Sequence, residues 1–261
     1  MDRLEQRRAA GYAIAVPLPY HIFGFWTGEN AMPPARVRNW NGFDTTGLEP
    51  ILVTPESLHR WVVSERPLHP AYQYLSPVHR SDYLRPYFMY HHGGGYADIK
   101  RQTGSWLPAV ERLSRSRWLI GAGYREIKGG TVWLQDNAIE RRTYVLSHAV
   151  PPICAKLVTH AMRGFYPWMI GNGAFYFKPG TRYARIWLRE VERRLDMLMP
   201  KLKGNPPAHP RDRLGGLEGH AYDGYPVPWS FLLGDINGPL SLLHAPLLSR
   251  SLPVPSFTDY I

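Results

Sequence analysis

Two carboxylates, a guanidinium and an ammonium are gathered around three glycines: Asp82, Arg85, then Gly93-Gly94-Gly95, then Asp98 and Lys100. Asp82 and Arg85 are three apart, so a helix puts them on one face. Glycines stop a helix and let the backbone turn sharply or come close to a ligand. A carboxylate just past such a turn, with an acid and a base on the preceding helix, suits a pocket for a charged, hydroxyl-rich ligand.

The elements that must hold these groups follow from the pattern around them. Leu84, Phe88 and Met89 fall at helical spacing, which predicts one apolar stripe on a helix that Ser81 caps, with Asp82 in its first turn. A short buried strand then carries Asp98 at its end. Tyr20 to Trp26 reads as a buried first strand. A helix is expected over Pro33 to Asn39, opened by its proline. Ile51 to Val53 reads as a strand, and Thr54-Pro55 as the start of a helix. Further helices are expected at Trp106 to Arg115 and Arg182 to Met199. In the second, Trp187, Val191, Leu195 and Leu198 form the stripe. Trp118 to Ile120, Thr131 to Leu134 and Ala174 to Phe177 read as strands, and 201–228 as a long loop rich in Pro and Gly. Strands alternating with helices predict an α/β sheet domain.

The run Ser81-Asp82, Arg85, Gly94-Gly95, Asp98 resembles the central signature of the glycosyltransferases with a DxD sugar-binding region. These include the family 32 α-mannosyltransferase type, the capsular polysaccharide synthesis proteins and, more distantly, the glucosylating bacterial toxins. Tyr20 to Gly28, Met32-Pro33, Trp40 and Gly238-Pro239 resemble flanking parts of the same pattern. The resemblance implies a single GT-A-like domain, a Rossmann variant with a mixed central sheet flanked by helices, over residues 1–261. Within it, 1–19 would be a lead segment, 20–135 the nucleotide-sugar-binding half and 136–261 the acceptor-side half. It implies a hexosyltransferase that moves a sugar from a nucleotide-sugar donor to a glycan, polysaccharide or lipid-linked acceptor, with retention. It places Asp98 and Lys100 at the reacting centre, and Ser81, Asp82, Arg85, Gly94, Gly95 and Trp26 on the donor. Trp26 belongs either against the nucleobase or in the core.

One position departs from the pattern. Where the family carries a second carboxylate that helps hold a divalent cation (Mn2+ or Mg2+), this chain has Lys100. An ammonium cannot ligate a cation, but it can neutralise a diphosphate directly. Three readings follow: a metal-independent enzyme using Lys100 and Arg101; a cation held by Asp98 and a distant carboxylate such as Asp235; or a degenerate, non-catalytic domain that only binds nucleotide sugars or glycans.

Other motifs carry less. Gly171-Asn172-Gly173 and Asp235-Ile236-Asn237-Gly238-Pro239 read as turns, with Asn172, Asp235 and Asn237 as candidates for a sugar or acceptor pocket. His92-Gly93-Gly94-Gly95 is similar to the oxyanion loop of lipase-type hydrolases, but the chain has no Gly-x-Ser-x-Gly elbow to go with it. His91 and His92 are adjacent and so point apart, which favours ordinary packing over metal binding.

Composition bounds the rest. A chain of 261 residues, 44% hydrophobic, suits one sizeable globular domain. The single cysteine, Cys154, excludes an internal disulfide, favours a reducing compartment and reads as a buried small hydrophobe. Pro17, Pro19 and His21 interrupt the apolar run from Gly11 to Trp26, which argues against a spanning helix or a cleaved signal. The expected location is cytoplasmic. The net charge of +10 suits anionic ligands and peripheral contact with an anionic membrane. No nucleic-acid motif accompanies that charge, and no nucleic-acid partner is expected.

Overall fold

The computed structural model describes residues 18–208 and 224–258. Its centre is a six-stranded mixed sheet flanked by helices, an α/β fold of Rossmann-like type. In chain order the elements are β1 (His21–Phe25), α1 (Pro34–Asn41), β2 (Glu49–Val53), α2 (Pro77–His91), β3 (Gly94–Ala97), α3 (Leu107–Arg115) and β4 (Gly121–Arg125). They continue with β5 (Thr143–Val145), β6 (His148–Val150), α4 (Pro152–Gly164), β7 (Ile170–Phe177), α5 (Arg182–Gly204), α6 (Gly234–Leu243) and β8 (Leu248–Ser249). The sheet runs β2-β1-β3-β7-β4-β8, and β5-β6 is a separate hairpin. β1 pairs in parallel with both β2 and β3, and β4 with β8. β7 runs against both its neighbours, β3 and β4.

This order matters for the site. From β1 the chain goes first to β2 on one side, then to β3 on the other. Their parallel carboxyl ends therefore diverge at a topological switch point, where open α/β sheets bind ligands. Phe25 and Ala97 end the two strands there, and Trp26 and Asp98 follow them directly.

The helix preceding β3 begins earlier than its sequence suggests. Ser76, not Ser81, is its N-cap, accepting from the His79 N–H, and Pro77 opens the first turn. Asp82 is thus mid-helix, and the expected single apolar stripe gives way to a helix buried from Asp82 through Met89 on all sides. The chain then turns through Gly93 and Gly94, both at positive φ (67° and 84°), where a side chain would be strained. A Cβ on Gly94 would also meet the His21 ring at 2.7 Å.

Several expected elements shift. The strand expected at Trp118 to Ile120 forms at β4 instead, because Trp118 is an exposed residue of the approach turn. Thr131 to Leu134 forms no strand; it leads into a 3₁₀ turn at Leu134–Asp136. Thr54-Pro55 opens a turn and a 3₁₀ segment, Leu58–Trp61, rather than an α-helix. Gly171-Asn172-Gly173 is not a turn but part of β7. Gly171 packs so close to Tyr124 that a Cβ would lie 1.8 Å from its ring. Asp235 to Pro239 is α6, not a turn, and every residue from Gly234 to Ser241 is buried. Helix α5 begins at its Thr181 cap as its stripe requires and runs on to Gly204, into the expected loop. Residues 209–223 of that loop, and 1–17 of the 1–19 lead segment, lie outside the described residues. Cys154 is exposed on α4, not buried.

Candidate functional site

A cleft of about 740 Å³ opens at the switch point, a size that holds a small-molecule ligand. Asp98 is its focus. Tyr96 donates to Asp98 Oδ1 at 2.8 Å and Arg85 Nη2 lies 3.0 Å from the same oxygen. Lys100 Nζ lies 3.0 Å from Oδ2. The Asp98 N–H donates to the Gly173 carbonyl at 2.8 Å, tying the residue to β7. Arg85 also reaches Asp82 Oδ1 at 3.5 Å and donates to the Asn172 carbonyl at 3.3 Å. Its guanidinium stacks 4.8 Å from the Tyr96 ring centroid. The helix α2, the end of β3 and the start of β7 thus converge on one carboxylate.

Burial alone would raise the Asp98 carboxyl, but Arg85 and Lys100 outweigh it and hold it below the ordinary aspartate value. Asp82 goes the other way. Burial pushes it up to about 7, with Asp98 adding to the rise and Arg85 opposing it. The cluster therefore keeps one firmly ionised carboxylate beside two cationic groups, with a second carboxyl that titrates near neutrality.

The sequence-derived residues divide clearly. Ser81, Asp82, Arg85, Asp98, Lys100, Trp26 and Asn172 all line the cleft. The Trp26 indole N–H donates to the Asn30 carbonyl at 2.7 Å, and the ring is half-buried at the wall. Gly94 and Gly95 do not line it. They sit at the far end of β3, where a Cβ on Gly95 would meet Trp106 at 3.1 Å, so their lack of a side chain serves packing. Asn237 stands behind the wall, donating to Asn172 Oδ1 at 2.6 Å and accepting from the Tyr183 hydroxyl. Asp235 is set back from the cleft. Its Oδ1 accepts from Ser230 at 2.7 Å and from Asn137 at 3.0 Å. Burial raises its carboxyl to about 6 against the pull of Arg194. It is not a wall residue beside Asp98, contrary to its expected place in the pocket. The His92 Nε2–H donates to the Trp61 carbonyl (2.8 Å) and His91 packs on Tyr87 and Tyr90, ordinary packing roles for both.

Glu126 was not among the expected residues. It follows β4 as Asp98 follows β3, on the other side of β7, and lines the same cleft. Its Oε1 accepts from the Ile127 N–H at 2.9 Å. Burial pushes its carboxyl up to about 7, while that N–H and Lys100 pull the other way. The signal for it lay in a glycine-rich strand followed by an acid, Gly121 to Glu126, like Gly94 to Asp98.

Scanned against protein-family models, the sequence matches none, and a search of curated proteins finds no match either. Among the described residues, no helix is long and apolar enough to cross a membrane.

Proposed function

We propose that the cleft takes a nucleotide-sugar donor and that the protein is a glycosyltransferase acting on a glycan, polysaccharide or lipid-linked acceptor. The observation that carries the reading is the position of Asp98. It follows β3 directly at the switch point, in the cleft, and is gripped by the arginine of the Ser-Asp-x-x-Arg helix. That is the arrangement implied by the resemblance of Ser81, Asp82, Arg85 and Asp98 to the DxD-region glycosyltransferases.

In this reading Asp98 accepts hydrogen bonds from donor hydroxyls, and Trp26 takes a face or edge of the base. The DxD resemblance implies a divalent cation on the diphosphate. The donor set around Asp98 does not fit one, because its two oxygens already face a guanidinium, an ammonium and a phenol. Arg85 and Lys100 instead supply the positive charge. As the anomeric C–O bond breaks, its electron pair passes to the diphosphate oxygen, and preorganised cations favour that charge. The acceptor oxygen bonds to the anomeric carbon, and its proton passes to the departing phosphate. Retention follows from attack on the face the diphosphate leaves, and no protein nucleophile is assigned.

The second reading, a non-catalytic nucleotide-sugar or glycan-binding domain, is favoured by the Lys100–Asp98 ion pair, which occupies the place of a metal-binding acid. The test is release of nucleoside diphosphate from a panel of UDP and GDP sugars with glycan acceptors, for wild type and Asp98→Asn. The enzyme reading requires release by wild type and its loss in a folded variant. Donor binding without release in any combination supports the second reading, and no binding overturns both.

A further inference from the structure

Helix α4 presents apolar residues on both its faces. Ala155, Thr159 and Met162 face inward, onto a small cluster with Leu134 and Met169. The outer face should then be polar, since a helix apolar all round belongs in a core or a lipid phase. Instead Ile153, Leu157 and Ala161 recur every fourth residue toward Phe165 just past the helix. Trp168 and Leu243 extend this surface. One Arg250 nitrogen, Nη1, donates to the carbonyls of both Trp168 (3.1 Å) and Ala245 (3.0 Å), which ties the backbone two residues past Leu243 to that of Trp168. Ile153, Leu157, Phe165, Trp168 and Leu243 are each between 57% and 69% exposed. A contiguous apolar patch of this kind marks an interaction surface rather than scattered exposure.

Charge says what covers it. No aspartate or glutamate occurs between Glu140 and Glu190, nor between Asp235 and Asp259. Lys156 lies on the outer face and Arg163 at its margin, stacked 4.2 Å from the Trp133 ring. Arg250 stacks on Trp168 at 5.4 Å. Apolar side chains with a tryptophan, flanked by Lys156, Arg163 and Arg250 and carried on segments that hold no acid, match the boundary of an anionic bilayer.

We propose that the α4 face docks on an anionic lipid surface, with Ile153, Leu157, Phe165, Trp168 and Leu243 entering the headgroup–acyl boundary and Lys156 and Arg250 on the headgroups. The cleft opens nearby. Ile127 and Val132 line it, and Trp133, next in the chain, lies against Arg163 of α4. A docked molecule would hold its cleft close to the membrane plane. This inference stands on the exposed face and its charge, independently of the reaction in the cleft.

The full chain is to be sedimented with vesicles of phosphatidylcholine alone and of phosphatidylcholine with phosphatidylglycerol, without any donor. Wild type should pellet with the second and not the first. Ile153→Glu with Leu157→Glu should weaken vesicle binding about tenfold or more, with an unchanged melting transition. Leu243→Glu alone should weaken it less. The idea is overturned if wild type stays in the supernatant, or if the folded variants pellet as wild type does. It is also overturned if wild type is a dimer without lipid that the Ile153/Leu157 variant splits, since the face would then belong to a second copy.

Discussion

Two buried clusters in this protein have the same chemistry and opposite geometry. In each, one carboxylate sits between two cationic side chains. Glu190 on α5 accepts from Arg193 (2.8 and 2.9 Å) and from Arg194 (2.8 Å). Arg194 is fully buried, donates to the Phe231 carbonyl at 2.5 Å and stacks on the Phe231 ring at 4.5 Å. That network closes on backbone and ring, and its residues are not among those that line the cleft. Asp98, held by Arg85 and Lys100, lies on the wall of the cleft. In both, paired cations outweigh burial and hold the carboxyl below its ordinary value. Charge composition and pKa direction therefore do not separate a cluster closed on the protein from one that lines a cleft. What separates them is whether the charges face space that a ligand can fill.

The widest test of the contrast is to remove one charge from each. Arg194→Ala leaves Glu190 buried and half-compensated and should cost about 3–5 kcal/mol of stability, while the fraction still folded binds donor normally. Asp98→Asn should do the reverse, holding the fold and reducing turnover by roughly 10²–10³-fold. Urea denaturation and turnover on both proteins read this out. Equal stability losses, or equal activity losses per folded molecule, would erase the distinction.

A third carboxylate sharpens it through pH. The Glu126 pKa of about 7 stands above its ordinary 4.5. Such a group stabilises the fold fully below pH 4.5, and that contribution is lost as pH rises through 7. Glu190, held low, behaves oppositely: its contribution is present at neutral pH and is lost on acidification. Glu126→Gln, which can still accept from Ile127, should gain up to about 3 kcal/mol over wild type at pH 8 and little at pH 4.5. Glu190→Gln should lose stability at pH 8. Parallel pH–stability curves for the two variants would contradict the assignment of Glu126 to a strained, ligand-facing position.

A smaller effect is expected at Arg85→Ala and Asp82→Ala, which share a helix face beside Asp98. Each should weaken donor binding by about 1.5–3 kcal/mol for a lost charged hydrogen bond, measured by calorimetric titration. Unchanged affinity in both would return the pair to the structural class of Glu190 and Arg194.

The parts of this molecule that read well from sequence are those where one local signal and the packing agree. β1 and β3 are continuous apolar runs that become central strands. The spacing of four, four and three from Trp187 to Leu198 became the buried face of α5. The Asp82–Arg85–Asp98–Lys100 cluster was legible because helix spacing and the glycine turn fix its geometry. The misreadings came where packing overrode composition. Gly, Asn and Pro in 235–239 signal a turn, yet surrounding apolar groups bury that segment as a helix. Ser81 is a good cap, but Ser76 followed by Pro77 is a better one. Gly171 marks contact with the Tyr124 ring rather than a bend. Glu126 carried only the faint signal of an acid after a glycine-rich strand, and the pairing of β4 with β7 brings it to the cleft.

The central claim is that the cationic side chains on Asp98 stand where a metal ion would serve a donor diphosphate. Donor turnover with and without chelator, in wild type and Lys100→Asp, tests it most directly. The account predicts that wild type turns over unchanged in chelator and that Lys100→Asp loses activity until a divalent ion is added. Wild-type activity that chelator abolishes and manganese restores would contradict it, because an ion would then hold the charge assigned here to Lys100.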